Sequence, residues 1–195
     1  MRWLAPEITA ILLVVFAQPT PSIFEVDLWP EEGRPVFAAS ATTLPLRETP
    51  TDAAAVAATW TGRVGQTLPF DDTRYRTTRA GRFIVLLATT ISGRQLGDAK
   101  RLSRADYYAG KYERVRLDLR QGDAVEYLQY RAEGSCFVRV AAVVIEADRC
   151  PNQQPRVFRL ESEPKTELWI RVVHADAAGW LLVTDATARL VRRQG

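Results

Sequence analysis

The chain holds two cysteines, Cys136 and Cys150, and their spacing restricts the fold more than any other feature. Drawn out as a single strand, the chain between them would hold the sulfurs roughly 45 Å apart at ~3.3 Å per residue. A disulfide needs Cα atoms within about 7 Å, so a bridge requires the chain to reverse direction. Cys136–Val140 and Val143–Ala147 suit the arms of a hairpin. The turn between them, Ala141-Ala142, lacks the Asn, Asp or Gly that tight hairpin turns favour. An even, near-neighbour pair points to a bridge formed in an oxidising compartment; two buried structural thiols are the alternative. Two cysteines and one distant histidine do not complete a tetrahedral zinc site, and neither a metal nor any other cofactor is expected.

The N-terminus points the same way. Residues 1–17 have the layout of a secretory signal: Arg2, then the apolar run Ile8 to Phe16, then the small-residue positions Val15 and Ala17. The run is far shorter than the ~20 apolar residues that span a bilayer. Pro6 and Glu7 are atypical flanks, so an uncleaved anchor stays open, and the membrane is an expected partner only in that case. The Pro-rich Gln18-Pro19-Thr20-Pro21-Ser22 reads as a stiff spacer. The expected location is periplasmic or secreted.

Beyond the spacer, strand signals dominate. Arg114 to Leu119 alternates strictly, placing Val115, Leu117 and Leu119 on one face, and Ala124 to Tyr130 alternates again. Phe83 to Ala88 is a buried-strand candidate, and Glu167 to Val173 and Trp180 to Thr184 are further strands. Ala53 to Trp60 fits either a helical turn or a strand. Leu96 to Lys111 is polar, with one helical turn possible over Ser103 to Tyr108. Short strands with turn signals every 8–12 residues or so are the pattern of an all-β sandwich or barrel.

Several landmarks resemble bacterial SH3-like domains of the SH3b type. In the first half these are Leu46-Arg47, Pro50, Val56, Gly65 and Leu68. In the second they are Gly122-Asp123-Ala124-Val125, the Trp-centred strand Trp169-Ile170-Arg171-Val172 and the closing Gly179-Trp180-Leu181-Leu182. The first half lacks a Trp strand and a Gly-Trp close of its own, and the Gly93-to-Gly97 segment is placed there instead. The resemblance implies an all-β chain of two small SH3-like β-barrels in tandem. Its organisation would be a signal segment (1–17), a linker (18–34), a first SH3-like unit (35–97), a connector (98–112) and a second unit carrying the disulfide hairpin (113–192). It also implies binding of cell-wall material or a protein segment; joined to the export signal, this makes a cell-wall polymer or an envelope protein the expected partner.

The residues themselves offer little catalytic chemistry. His174 is the single histidine, it falls in an expected hairpin loop, and no Gly-x-Ser-x-Gly elbow exists to partner it. A cysteine nucleophile requires a free thiol. The carboxylate pairs Asp71-Asp72 and Glu161/Glu163 read as solvated loop residues, which leaves a cell-wall hydrolase as the weaker alternative. An assembly partner of another envelope protein is the other. Lys and Arg exceed Asp and Glu by only 26 to 23, and nucleic acid is not an expected partner. The densest basic clusters, Arg74/Arg76/Arg79/Arg82 and Arg192/Arg193, read as solvated faces. Aromatic rings are the candidate ligand surface, because they give contact area at low entropy cost. Tyr75, Tyr127, Tyr130, Trp169 and Trp180 are singled out, with both tryptophans core or near-core. Tyr127 and Tyr130 fall on opposite faces by parity. Tyr75, Tyr107, Tyr108 and Tyr112 are placed in loops and the connector.

Overall fold

The structure, a computed structural model, describes residues 23–27, 35–97, 100–110, 112–175 and 177–191. The expected signal segment, its cleavage site and Arg192/Arg193 lie outside them. The described residues are all-β apart from short helical turns. In chain order the strands are β1 (Phe24–Val26), β2 (Val36–Ala39), β3 (Thr43–Arg47), β4 (Val56–Thr61), β5 (Phe70–Arg79), β6 (Gly81–Val85), β7 (Thr89–Gly97) and β8 (Arg101–Leu102). After helix α1 (Arg104–Ala109) come β9 (Arg114–Leu119), β10 (Ala124–Tyr130), β11 (Cys136–Val140), β12 (Val143–Ala147), β13 (Phe158–Ser162), β14 (Lys165–His174), β15 (Ala177–Leu182) and β16 (Ala188–Val191).

Two seven-stranded sheets carry the fold, ordered β4-β3-β15-β14-β5-β1-β8 and β13-β6-β10-β11-β12-β7-β9, beside a two-stranded β16-β2 pair. Neither large sheet closes into a barrel. Both take strands from each half of the chain, so the expected division into 35–97 and 113–192 is not how the strands pair. Only Ala80 separates β5 from β6, and this one run of chain leaves the first sheet and enters the second. The chain returns through β13 into β14, which lies antiparallel to β5 from Lys165/Arg79 to Val172/Phe70. The second sheet is therefore built wholly from a segment inserted between two paired strands of the first. Gly81 sits at the crossing. A Cβ there would stand 2.4 Å from the Ser162 carbonyl oxygen and 2.7 Å from the Pro164 nitrogen, so a side chain would block the returning strand.

The cores follow this division. Phe37, Leu44, Leu46, Trp60 and Leu68 pack with Ile170, Val172, Leu181 and Ala188. The Trp169 strand and the Gly179-Trp180 element thus complete the first unit, which lacked both in sequence. The Gly93-to-Gly97 segment placed there is instead part of β7 in the second sheet. Phe83, Val85, Ile91, Leu119, Val125, Tyr127, Val138, Ile145 and Phe158 surround the cysteines in a second core. The hairpin has the expected arms, β11 and β12, in register from Cys136/Ala147 to Val140/Val143. Its Ala141 adopts φ +53° in place of the usual glycine or asparagine. Cys136 and Cys150 are bridged, with Cα atoms 5.2 Å apart.

A third cluster joins the two units and corrects the linker expectation. Residues 23–27 are not spacer: Phe24 is 0% exposed, and with Val26 it packs against Leu96, Leu102, Tyr107, Leu128, Phe137 and Val144. The Phe24 and Phe137 rings meet at a tilt of 54°, with centroids 5.2 Å apart. β1 lies antiparallel to β5 and parallel to β8, so part of the expected connector is sheet as well. The polar side of β1 overturns the solvated-face expectation for Arg74 and Arg76. Arg76 is buried and pairs with Glu25 at 2.9 Å and Glu167 at 3.3 Å. Asp27 takes Arg74 at 3.2 Å and Arg101 at 2.9 Å. Because β1 is core, Phe24→Ala is expected to lower unfolding stability by about 3–5 kcal/mol in urea titration. A spacer residue would change it by no more than about 0.5 kcal/mol.

Candidate functional site

The five aromatics singled out in the sequence are mostly structural. Trp169 is buried and its indole N–H donates to Glu167 Oε2 at 3.1 Å. Trp180 is buried under the Arg74 guanidinium, which lies 4.9 Å from its ring. Tyr75 is central in β5 rather than in a loop, between Val26 and Leu168 in register. Its hydroxyl accepts from Thr166 Oγ1 at 3.3 Å. Tyr127 is buried against Phe83, centroids 5.0 Å apart. Tyr130 alone of the five is well exposed, at 42%. A bulge between Tyr127 and Gln129 resets the alternation, so Tyr127 opposes Val138 and Tyr130 opposes Cys136. The two rings therefore share a face, contrary to simple parity; one is buried because Tyr130 lies farther along that face, at the end of β10.

The most exposed aromatic among the described residues is Tyr108, at 70%. It stands on α1, a helix of a turn and a half with defined ends. Ser103 caps the start by accepting from the Asp106 N–H at 3.0 Å, and Gly110 N–H closes the other end on the Asp106 carbonyl. Consecutive residues on a helix point about 100° apart, which turns Tyr107 inward and Tyr108 outward. Tyr107 is buried in the joining cluster. Its hydroxyl donates to Glu146 Oε1 at 3.0 Å and accepts from Arg94. Arg94 also pairs with Glu146 and lies 4.7 Å from the Tyr107 ring; Arg131 lies 5.5 Å from that ring. Tyr108 meets Tyr107 edge-on at 5.2 Å, and Tyr112 stands 6.5 Å from Tyr107. The Tyr112 hydroxyl donates to the Asp106 carbonyl at 2.8 Å.

Burial and charge set the protonation of this patch. Burial favours loss of the Arg94 proton, but the Glu146 carboxylate and the Tyr107 hydroxyl outweigh it and raise the guanidinium further. Burial, reinforced by Glu146, raises the Tyr107 phenol, and burial with Asp106 raises Tyr112. Both phenols therefore stay neutral donors. The phenol protons are taken by Glu146 and the Asp106 carbonyl, which leaves the exposed Tyr108 ring beside Arg94 and Arg131 as a face suited to stacking on a flat apolar surface. The sequence placed these tyrosines in a connector. The signal that could have found them is the pair Tyr107-Tyr108 inside the one helical turn, where adjacent rings must face different ways.

Other candidates fall elsewhere. His174 ends β14 opposite Ala177 and is exposed. Asp71 and Asp72 lie on β5 and Glu161 on β13, not in loops. Asp71 pairs with Arg171 at 3.1 Å, and Glu161 lies between Arg159 at 3.1 Å and Arg82 at 3.6 Å. The bridge occupies both thiols. No known family, curated protein or solved structure matches the chain.

Burial, with Glu163 adding to it, pushes the Tyr127 phenol up to about 12, against about 10 for an unperturbed tyrosine. Between those values the folded chain holds a proton that the unfolded chain releases. The contribution is full below pH ~10 and is lost as pH rises toward ~12, a loss of about 2–3 kcal/mol. Tyr127→Phe is expected to flatten this part of the stability profile, read by urea unfolding at stepped alkaline pH.

Proposed function

We propose that the chain is an exported, non-catalytic binding protein of the bacterial cell envelope, docking cell-wall polymer through the α1 tyrosine surface. The observation that carries this reading is Tyr108. The ring is 70% exposed and is held edge-on by the buried Tyr107, so it presents a large flat contact face already oriented. Bracing lowers the ordering cost of binding. Wall glycan offers flat sugar faces for the ring, and its peptide stems offer carboxylates for Arg94 and Arg131.

Export is supported by the fully buried Cys136–Cys150 bridge, which belongs to an oxidising compartment. No helix of the described residues is long and apolar enough to cross a membrane. The SH3-like reading rests on sequence landmarks, most of which gather in the first unit: Leu46, Val56, Leu68, Trp169 and Trp180 all lie on or beside its strands. The hydrolase alternative is weaker, since its cysteine route needs a free thiol and both are bridged.

Sedimentation with purified sacculi across a salt series tests the reading. The sequence pI near 9.1 invites salt-sensitive sticking to any anionic polymer, so the expected result is binding that survives high salt. Tyr108→Ala should weaken it about tenfold, as for loss of one stacked ring, without lowering thermal stability. Binding that disappears with salt, or is indifferent to Tyr108, would contradict the proposal.

A further inference from the structure

Four strands end the two large sheets, and three of those edges are guarded. β8 is only two residues long. β9 presents exposed Arg114, Arg116 and Asp118. β13 carries Arg159 and Glu161, and the Val157 and Phe158 N–H groups at its start are taken by the Gln154 carbonyl, each at 2.9 Å. Short length, charges and covered backbone are the devices by which folded chains keep sheet edges from pairing. β4 has none of them. Val56 to Thr61 contains no charged residue and no proline, is rich in β-branched and small side chains, and leaves Val56, Ala57, Thr59 and Thr61 exposed.

The backbone groups on that edge can be assigned. Gly62 N–H donates to the Thr42 carbonyl at 2.9 Å, which makes 42/62 a hydrogen-bonded pair. The register continues Thr43/Thr61, Leu44/Trp60, Pro45/Thr59 and Leu46/Ala58. Hydrogen-bonded pairs alternate along an antiparallel ladder, so Trp60 and Ala58 turn their N–H and C=O groups toward β3. Thr59 and Thr61 turn theirs off the edge. β4 pairs with no other described strand.

We propose that this edge is the contact by which two copies of the chain dimerise, β4 against β4 in antiparallel register about a two-fold axis at Trp60. Thr59 of one copy then opposes Thr61 of the other, and the reverse, and each pair exchanges two backbone hydrogen bonds. The occupant is argued from the strand itself. The two residues whose backbone groups turn off the edge, 59 and 61, are spaced so that the strand complements its own reversed copy. No like charges meet from Val56 to Thr61, and the threonines meet as cross-strand Thr–Thr pairs, a favourable combination on an exposed face. The contact is isologous and closes at two chains.

Sedimentation equilibrium of the full chain over the micromolar range tests this, with the double variants T59K/T61K and T59E/T61E. Both side chains are exposed, so each variant should melt with the wild type at concentrations low enough that all are single chains. The wild type is expected at twice the single-chain mass. Each double variant alone should dimerise at least about tenfold more weakly, because like charges are set directly opposite, and an equimolar mixture of the two should dimerise again. A wild type of single-chain mass throughout, a dimer that persists in T59K/T61K, or opposite-charge variants that do not recombine would each overturn the proposal.

Discussion

The Arg76 guanidinium binds together parts of the chain that are far apart in sequence. From β5 it reaches Glu25 on β1, Glu167 on β14 and the Pro50 carbonyl in the β3–β4 connection. Its side chain is almost wholly buried, and removing a charge from water is expensive unless partners replace the hydration. Two carboxylates and a carbonyl do so here. The exchange is strict in one direction: without β1, Arg76 loses its closest carboxylate. Uncompensated buried charge of this kind destabilises by about 3–5 kcal/mol. A three-residue strand is too short to hold itself in place by ladder bonds alone. The charged lock on one side and Phe24 and Val26 on the other account for its place in the sheet. Glu167 also accepts from the indole of Trp169, itself buried on β14.

The same strand explains how an inserted unit stays attached to its host. The insert leaves through β5–β6 and returns through β13–β14 at one crossing, where Gly81 allows close approach. A second attachment comes from the β7–β9 connection. β8 folds back beside β1, placing Arg101 on Asp27, and α1 follows with Tyr107 packed into the joining cluster. The exposed tyrosine surface therefore stands on the segment that fastens the two units, and its rigidity comes from that fastening.

Local patterns were legible and distant partnerships were not. The hairpin arms, the bridge and the β9 alternation could be read because each is set by residues within about fifteen positions of one another. The helical turn at Ser103 to Tyr108 was visible for the same reason. The insertion was hidden because strand order is a long-range property: nothing in Trp169-Ile170-Arg171-Val172 shows that its neighbour is β5 rather than a strand of its own half. β1 was hidden by its length and its surroundings, since Phe-Glu-Val-Asp is a single period of alternation beside a Pro-rich stretch. Arg74 and Arg76 read as solvent-facing because charge is normally outside, and their acidic partners are distant: Asp27 and Glu25 lie upstream by 47 and 51 residues, and Glu167 lies 91 residues downstream. At the candidate surface, tyrosine content was visible, but burial sorted the rings. Tyr75 and Tyr127 are structural and Tyr108 is presented.

β1 is an integral strand of the first sheet. Its amides are placed to show this, with Glu25 N–H on the Lys100 carbonyl at 2.8 Å, Asp27 N–H on Leu102 at 3.0 Å and Ile23 N–H on Thr77 at 2.8 Å. Native-state hydrogen exchange resolved at these three amides is the most direct measurement. Protection comparable to the amides of β5 and β14, lost only with global unfolding, is expected. Exchange of Glu25 and Asp27 at the rate of an unstructured peptide, while β5 stays protected, would contradict it.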